Sequence, residues 1–331
     1  MELFYSIIFA LILGLTLMKH LFNLPTILIL SSLILLFSCS DETSVDDTDP
    51  IIEVPPGEPL PPGSGVFEYV YEQNGFTKSL DIYYFLPQNY TPQSPVLFVF
   101  HGAGRNADDY RDAMVSKSQE LGFLVFTPEF SIAEFPNGDA YNLGNVYIDG
   151  DNPTPETLNP ESEWAYSIIE PLFDHVKTLT QNETSQYDLF GHSAGGQFVH
   201  RFLMFKPNAR VRTAVASASG WYTFPDENIP FPYGFDDSIL LNSDFSGLFS
   251  KQVIIQVGEN DDDPNSAGLR HNTYADAQGL NRKERATNFF QYCSNLANQE
   301  SLLFNWQFEL VPNANHDFNL PSEYAANLLY N

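Results

Sequence analysis

The pentad Gly191-His192-Ser193-Ala194-Gly195 holds the residues of this chain best placed to do chemistry. Its left flank, Tyr187-Asp188-Leu189-Phe190, reads as a short buried strand and its right flank as a helix. A serine on a sharp strand-to-helix turn projects its oxygen into a cleft, and glycines two residues to either side let the backbone turn without a Cβ clash. The same turn aims a helix N-terminus at the serine, so the Ala194 amide can donate to a developing oxyanion.

A serine hydroxyl is a poor nucleophile near neutral pH. It needs an imidazole to take its proton and an acid to hold that imidazole in the right tautomer. The run ending Leu310-Val311-Pro312 leads into Asn313-Ala314-Asn315-His316-Asp317-Phe318, which sets His316 just past the carboxyl end of a strand, where open α/β sheets bind their ligands. Val253 to Val257 likewise leads into Gly258-Glu259-Asn260-Asp261-Asp262-Asp263, and an acid from this loop completes the order Ser, Asp, His. His101 reads as a hydrogen bonder that shapes its loop, His192 as packing away from the cleft, and His200 and His271 as surface or core residues. The run Asp261 to Asp263 lacks the alternating ligands and turn glycine of a calcium loop, so no metal is expected there or at Asp149-Gly150-Asp151. Trp221, at the carboxyl edge of the sheet, and Arg105 are candidates to touch substrate.

These residues need a sheet to hold them. Phe67 to Tyr71 and Leu80 to Phe85 mix β-formers with alternating polar positions around Asn74-Gly75, an antiparallel hairpin. The runs 96–100 and 124–127 are continuously apolar, as in a parallel sheet covered on both faces, and the strands 187–190, 213–216, 253–257 and 306–311 continue the series. Helical patterns at 108–121, 164–178, 194–205, 282–298 and 321–330 alternate with them. The fold class is α/β: a mostly parallel, doubly covered sheet opened by an antiparallel hairpin. The aperiodic stretches 130–163 and 221–250 read as functional rims or lids.

With 331 residues the chain is long enough for one catalytic domain, assigned to 66–331. A formal charge of −27, with only 15 Lys and Arg, argues against nucleic acid as a partner. The apolar run from Ile27 to Phe37, preceded by Met18-Lys19-His20 and ending in Ser38-Cys39, resembles a bacterial lipoprotein signal. That resemblance implies a leader over 1–38 and a lipidated Cys39 as first mature residue. Residues 1–17 lie upstream of a serviceable start at Met18. Ser40-Asp41-Glu42 resembles the signals that send lipoproteins of Bacteroidota to the cell exterior, which implies a surface-exposed outer-membrane protein. Residues 39–65, acidic and then proline-rich, read as a tether. With Cys39 lipidated, Cys293 has no partner and no disulfide forms.

From Val66 onward the chain resembles the α/β-hydrolase superfamily, most closely the poly(3-hydroxybutyrate) depolymerase-like and feruloyl-esterase-like branch. The motifs His101-Gly102-Ala103-Gly104, Gly191-His192-Ser193-Ala194-Gly195-Gly196, Gly258-Glu259-Asn260-Asp261 and Asn315-His316-Asp317 fall in the order of that superfamily. The resemblance implies Ser193 as nucleophile and His316 as base, with Asp261 as acid ahead of Asp263 and then Asp262. It implies an oxyanion hole from the amides of Ala194 and Ala103, with Gly104 next in line, and no metal or organic cofactor. The activity implied is serine-dependent hydrolysis of polysaccharide-linked or polyester-type carboxylic esters through an acyl-enzyme. A serine peptidase of the same fold and a non-catalytic glycan-binding surface lipoprotein are the alternatives.

Overall fold

A computed structural model describes residues 59–331 except Phe245. The expected leader, the lipidated Cys39 and most of the tether lie outside the described residues.

Eight strands form one sheet: β1 (Gly63–Gln73), β2 (Phe76–Leu86), β3 (Val96–Phe100), β4 (Leu124–Pro128), β5 (Tyr187–His192), β6 (Val211–Ser217), β7 (Gln252–Gly258) and β8 (Trp306–Val311). Their order is β1-β2-β4-β3-β5-β6-β7-β8. The pairs β1/β2 and β2/β4 are antiparallel and the rest parallel. This is an α/β-hydrolase fold. Asn74 and Gly75, both at positive φ (53° and 85°), make the two-residue turn between β1 and β2. That geometry matches the right-handed twist of the flanking strands, and glycine adopts it without strain.

The longer helices are α1 (Ala107–Leu121), α2 (Ile169–Thr180), α3 (Ala194–Phe205), α4 (Arg282–Gln299) and α5 (Asn319–Tyr330). Alternate strand residues feed two cores. Val96, Phe98 and Phe100 of β3, Leu189 of β5 and Val253, Ile255 and Val257 of β7 join the core that includes Phe173 of α2, Phe198 of α3 and Phe289 of α4. Leu97 and Val99, Phe190 and Ile254 point the other way, to Tyr110 and Met114 of α1 and Ala325 and Ala326 of α5. Burial on both faces is why these strands read as unbroken apolar runs rather than alternating ones.

Two expectations need correction. The tether ends sooner than its composition suggests: Leu60 is buried and its amide donates to Leu179 O (2.8 Å), and Gly63 to Gly65 already belong to β1. A proline-rich sequence reads as unpacked, but one leucine and three strand residues within it found partners in the sheet and at the end of α2. The helix expected from 164 begins as a 3-10 turn, Ala165–Ile168, before α2 starts at Ile169. The stretches 130–163 and 221–250 carry buried aromatics, among them Phe130, Tyr141, Tyr147, Tyr222 and Phe231, which continue the main core.

Helix α3 approaches the sheet more closely than side chains allow. A Cβ on Gly195 would overlap Phe100 O of β3, and one on Gly191 would overlap Gly195 O. Gly195→Ala is therefore expected to lower the stability of the chain by about 1–3 kcal/mol, read as a drop in the urea midpoint; an unchanged midpoint contradicts the close approach.

His101, His192 and His200 are buried. Burial pushes His101 and His192 down to about 3, assisted for His192 by the neighbouring His316, and pushes His200 well below its usual range. In the unfolded chain a histidine takes up its proton near about pH 6.5. The unfolded state thus binds more protons between there and the folded values. The stability these residues contribute is complete above that upper value and is lost as pH falls, at about 1.4 kcal/mol per pH unit for each. The urea midpoint should fall between about pH 7 and about pH 5, above the main carboxylate range. A flat or rising midpoint over that interval would contradict this expectation.

Candidate active site

Strand register brings the chemistry to one edge. Phe100 pairs with Gly191, His192 with Ser217, Ser217 with Gln256 and Gly258 with Val311, so β3, β5, β6, β7 and β8 end side by side. The loops that leave these ends carry Gly102, Ser193, Asp261 and His316.

Ser193 has φ 58° and ψ −114°, a backbone conformation that side chains rarely adopt. It is held there from both sides, its amide donating to Ser217 O (2.9 Å) and its carbonyl accepting from Gln197 N in the first turn of α3 (3.1 Å). The first amides of a helix have no partner within it, and Ala194, directly after the serine, is the first residue of α3. Gly102 lies against the serine: a Cβ there would stand 3.7 Å from Ser193 Cβ and 2.8 Å from the Tyr110 hydroxyl.

The serine Oγ is 3.1 Å from His316 Nε2, and His316 Nδ1 is 2.8 Å from Asp261 Oδ2. Asp261 is buried, and the Nη1 of Arg282, also buried, lies 3.6 Å from its Oδ1 and gives that oxygen a positive partner. Asp262 and Asp263 are exposed, and Asp263 accepts instead from Asn265 N (2.8 Å). Of the three neighbouring acids, only Asp261 meets the imidazole. Backbone bonds tie the acid and histidine loops together: Glu259 N to Val311 O (2.9 Å) and Asn260 N to Ala314 O (2.8 Å).

His192 does more than the sequence suggests. Its Nε2–H donates to His316 O (3.2 Å), and its Nδ1 accepts from Ser217 Oγ (3.1 Å), the roles a neutral ring can play. The residue before the serine thus holds the backbone of the histidine loop. No pattern in the sequence marks it beyond its place in the pentad. Arg282 was missed for a similar reason: an arginine at the start of a helix reads as solvated until burial is known. His101 is likewise neutral, donating from Nδ1 to Gly102 O (2.9 Å) and accepting Phe130 N at Nε2 (3.0 Å), while Tyr141 donates to its carbonyl (2.6 Å). These bonds stiffen the loop that carries Ala103.

Arg105 stands apart from its expected role. Its guanidinium donates to the carbonyls of Phe130, Phe135 (3.1 Å) and Asn137 (2.9 Å) and lies 4.4 Å over the Tyr141 ring. It clamps the loop after β4, because a half-buried cation takes the nearest unpaired carbonyls. Trp221 is 3% exposed, with the guanidinium of Arg201 4.0 Å and that of Arg270 4.8 Å from its ring centroid. It is a wall between cations rather than an open lining residue.

No protein-family model matches the chain, and neither does any curated protein. Solved structures do. Poly(aspartic acid) hydrolase-1 from Sphingomonas sp. KT-1 is 38% identical with a TM-score of 0.75, over 82% of this chain and 100% of that one. The poly(3-hydroxybutyrate) depolymerase LpqC from Bordetella parapertussis is 30% identical with a TM-score of 0.74, over 81% and 89%. An IroE-like serine hydrolase from Shewanella oneidensis, 13% identical over 80% of each chain with a TM-score of 0.50, shares the fold. With the sheet order in place and the Sphingomonas enzyme matched over its full length, the chain belongs to the α/β-hydrolase family, in the company of these polymer hydrolases.

Proposed function

We propose that the chain is a serine-dependent carboxylic ester hydrolase that works through an acyl-enzyme. The observation that carries this reading is the unbroken series from Ser193 Oγ through His316 to the buried Asp261, at 3.1 and 2.8 Å. Ser193 Oγ attacks the ester carbonyl while His316 Nε2 takes its proton. Asp261 holds the Nδ1–H and balances the imidazolium that forms. The amides of Ala194 and Ala103 receive the negative oxygen, each contributing about 3 kcal/mol to the transition state. His316 then gives its proton to the leaving alcohol, and water releases the acyl group by the same steps.

The substrates of this reading are polysaccharide-linked or polyester-type esters outside the cell, reached from an outer membrane to which a lipid on Cys39 anchors the chain. The apolar run ending at Ser38-Cys39 supports the anchor. The Sphingomonas relative is named for a polyanion. A chain of net charge −27 repels such a polymer, whereas a neutral ester meets no such barrier.

A fluorophosphonate probe should label the wild type at Ser193, and Ser193→Ala should abolish labelling and cut aryl-ester turnover by about 10⁴-fold or more. Asp261→Asn should cut turnover by about 10²- to 10⁴-fold, and Asp263→Asn by far less. Labelling that survives Ser193→Ala refutes the nucleophile, and faster cleavage of aminoacyl anilides than of esters replaces the esterase with a peptidase.

A further inference from the structure

A cavity of about 690 Å³ lies among loops that follow β4, β6 and β7, on the carboxyl edge that also carries Ser193. Its size falls within the roughly 300–1,000 Å³ usual for small-molecule sites. Its walls include Asp151 from the first loop, Tyr233 and Asp237 from the second, and Arg270, Asn272 and Tyr274 from the third.

These side chains form one joined surface. The Tyr274 ring, 46% exposed, lies nearly parallel to that of Tyr233, with centroids 5.5 Å apart and planes at 22°. The Tyr233 hydroxyl accepts from Arg270 (3.1 Å) and from Asn272 Nδ2 (2.6 Å), and Arg270 also pairs with Asp151 (2.6 Å). A short chain of contacts leads back to the nucleophile. Arg270 lies over Trp221, Trp221 lies over Arg201, and Arg201 donates to Gln197 O, one turn along α3 from Ser193.

We propose that this cavity is a saccharide subsite, and that the alcohol side of the ester cleaved at Ser193 is a sugar; the proposal rests on the esterase reading above. Asp151 and Asp237 can only accept hydrogen bonds, and Arg270 can only donate them. A ligand that satisfies both kinds must give and receive along its edge while offering an apolar face to Tyr274. A sugar ring does so: its hydroxyls both donate and accept, and its C–H face carries the slight positive charge that suits the negative face of an aromatic ring. A polyester offers acceptors only, apart from a terminal hydroxyl, and would bring no donor to either carboxylate. A polyanion would set its own charges against them.

The test uses the full chain carrying Ser193→Ala, titrated calorimetrically with xylotetraose, cellotetraose, a hydroxybutyrate trimer and poly(aspartic acid). Saturable binding of a tetrasaccharide is expected, weakened about tenfold or more by Tyr274→Ala and by Asp151→Asn. On a background with Ser193 intact, the ratio of kcat/KM on acetylated xylo-oligosaccharide to that on p-nitrophenyl acetate should fall by about tenfold or more in each variant. The proposal is overturned if neither tetrasaccharide binds, if binding and ratio are the same in both variants as in their parents, or if the hydroxybutyrate trimer or poly(aspartic acid) binds in their place. The esterase reading fails separately, by a wild type inert on p-nitrophenyl acetate, and the saccharide titration does not depend on that result.

Discussion

Helix α3 can reach the sheet only because residue 195 lacks a side chain. With its Cα set against Phe100 O, the turn before the helix becomes so tight that Ser193 is driven to positive φ, and the hydroxyl stands clear of both strand and helix. Everything in the site is positioned relative to that hydroxyl. The cost of the strained residue is met by the bonds on either side of it and by the aromatic packing around Phe198, whose ring stacks on that of Phe100 with centroids 4.5 Å apart. The backbone conformation at Ser193 is thus a property of the whole β3–β5–α3 contact rather than of the serine.

The sheet was legible in the sequence for a simple reason. Strands buried on both faces are continuous apolar runs, and a run such as Val96 to Phe100 has few other ways to escape water. The loops were legible only where they attach to strand ends: His316 and the three acids are fixed to within a few residues by the strands before them. Chemistry alone does not say which acid faces the imidazole, since Asp261, Asp262 and Asp263 are alike and differ in burial; the family resemblance put Asp261 first, and it is the one His316 meets.

Arg105 and Trp221 show the limit of such reading. Both sit beside the site in sequence, and each takes partners from distant segments: Arg105 from carbonyls at 130–137, Trp221 from Arg201 and Arg270. Local sequence reports what a residue can do, but its partners decide what it does. The long segments 130–163 and 221–250 make the same point. Read as rims, they are stitched into the main core by rings such as Tyr141, Tyr147 and Phe231, so the edge of the cleft is built from packed protein.

The bond from His192 to the carbonyl of residue 316 has a mechanical side. Residues 192 and 193 share a peptide unit, so one rigid plane bears the attacking oxygen's attachment and the strut that steadies the proton acceptor's loop. A shift of that plane therefore acts on the Ser193 hydroxyl and, through the His192 bond, on the backbone of residue 316 together. Alignment of this kind is carried by the backbone in advance, and an arriving substrate has no need to create it.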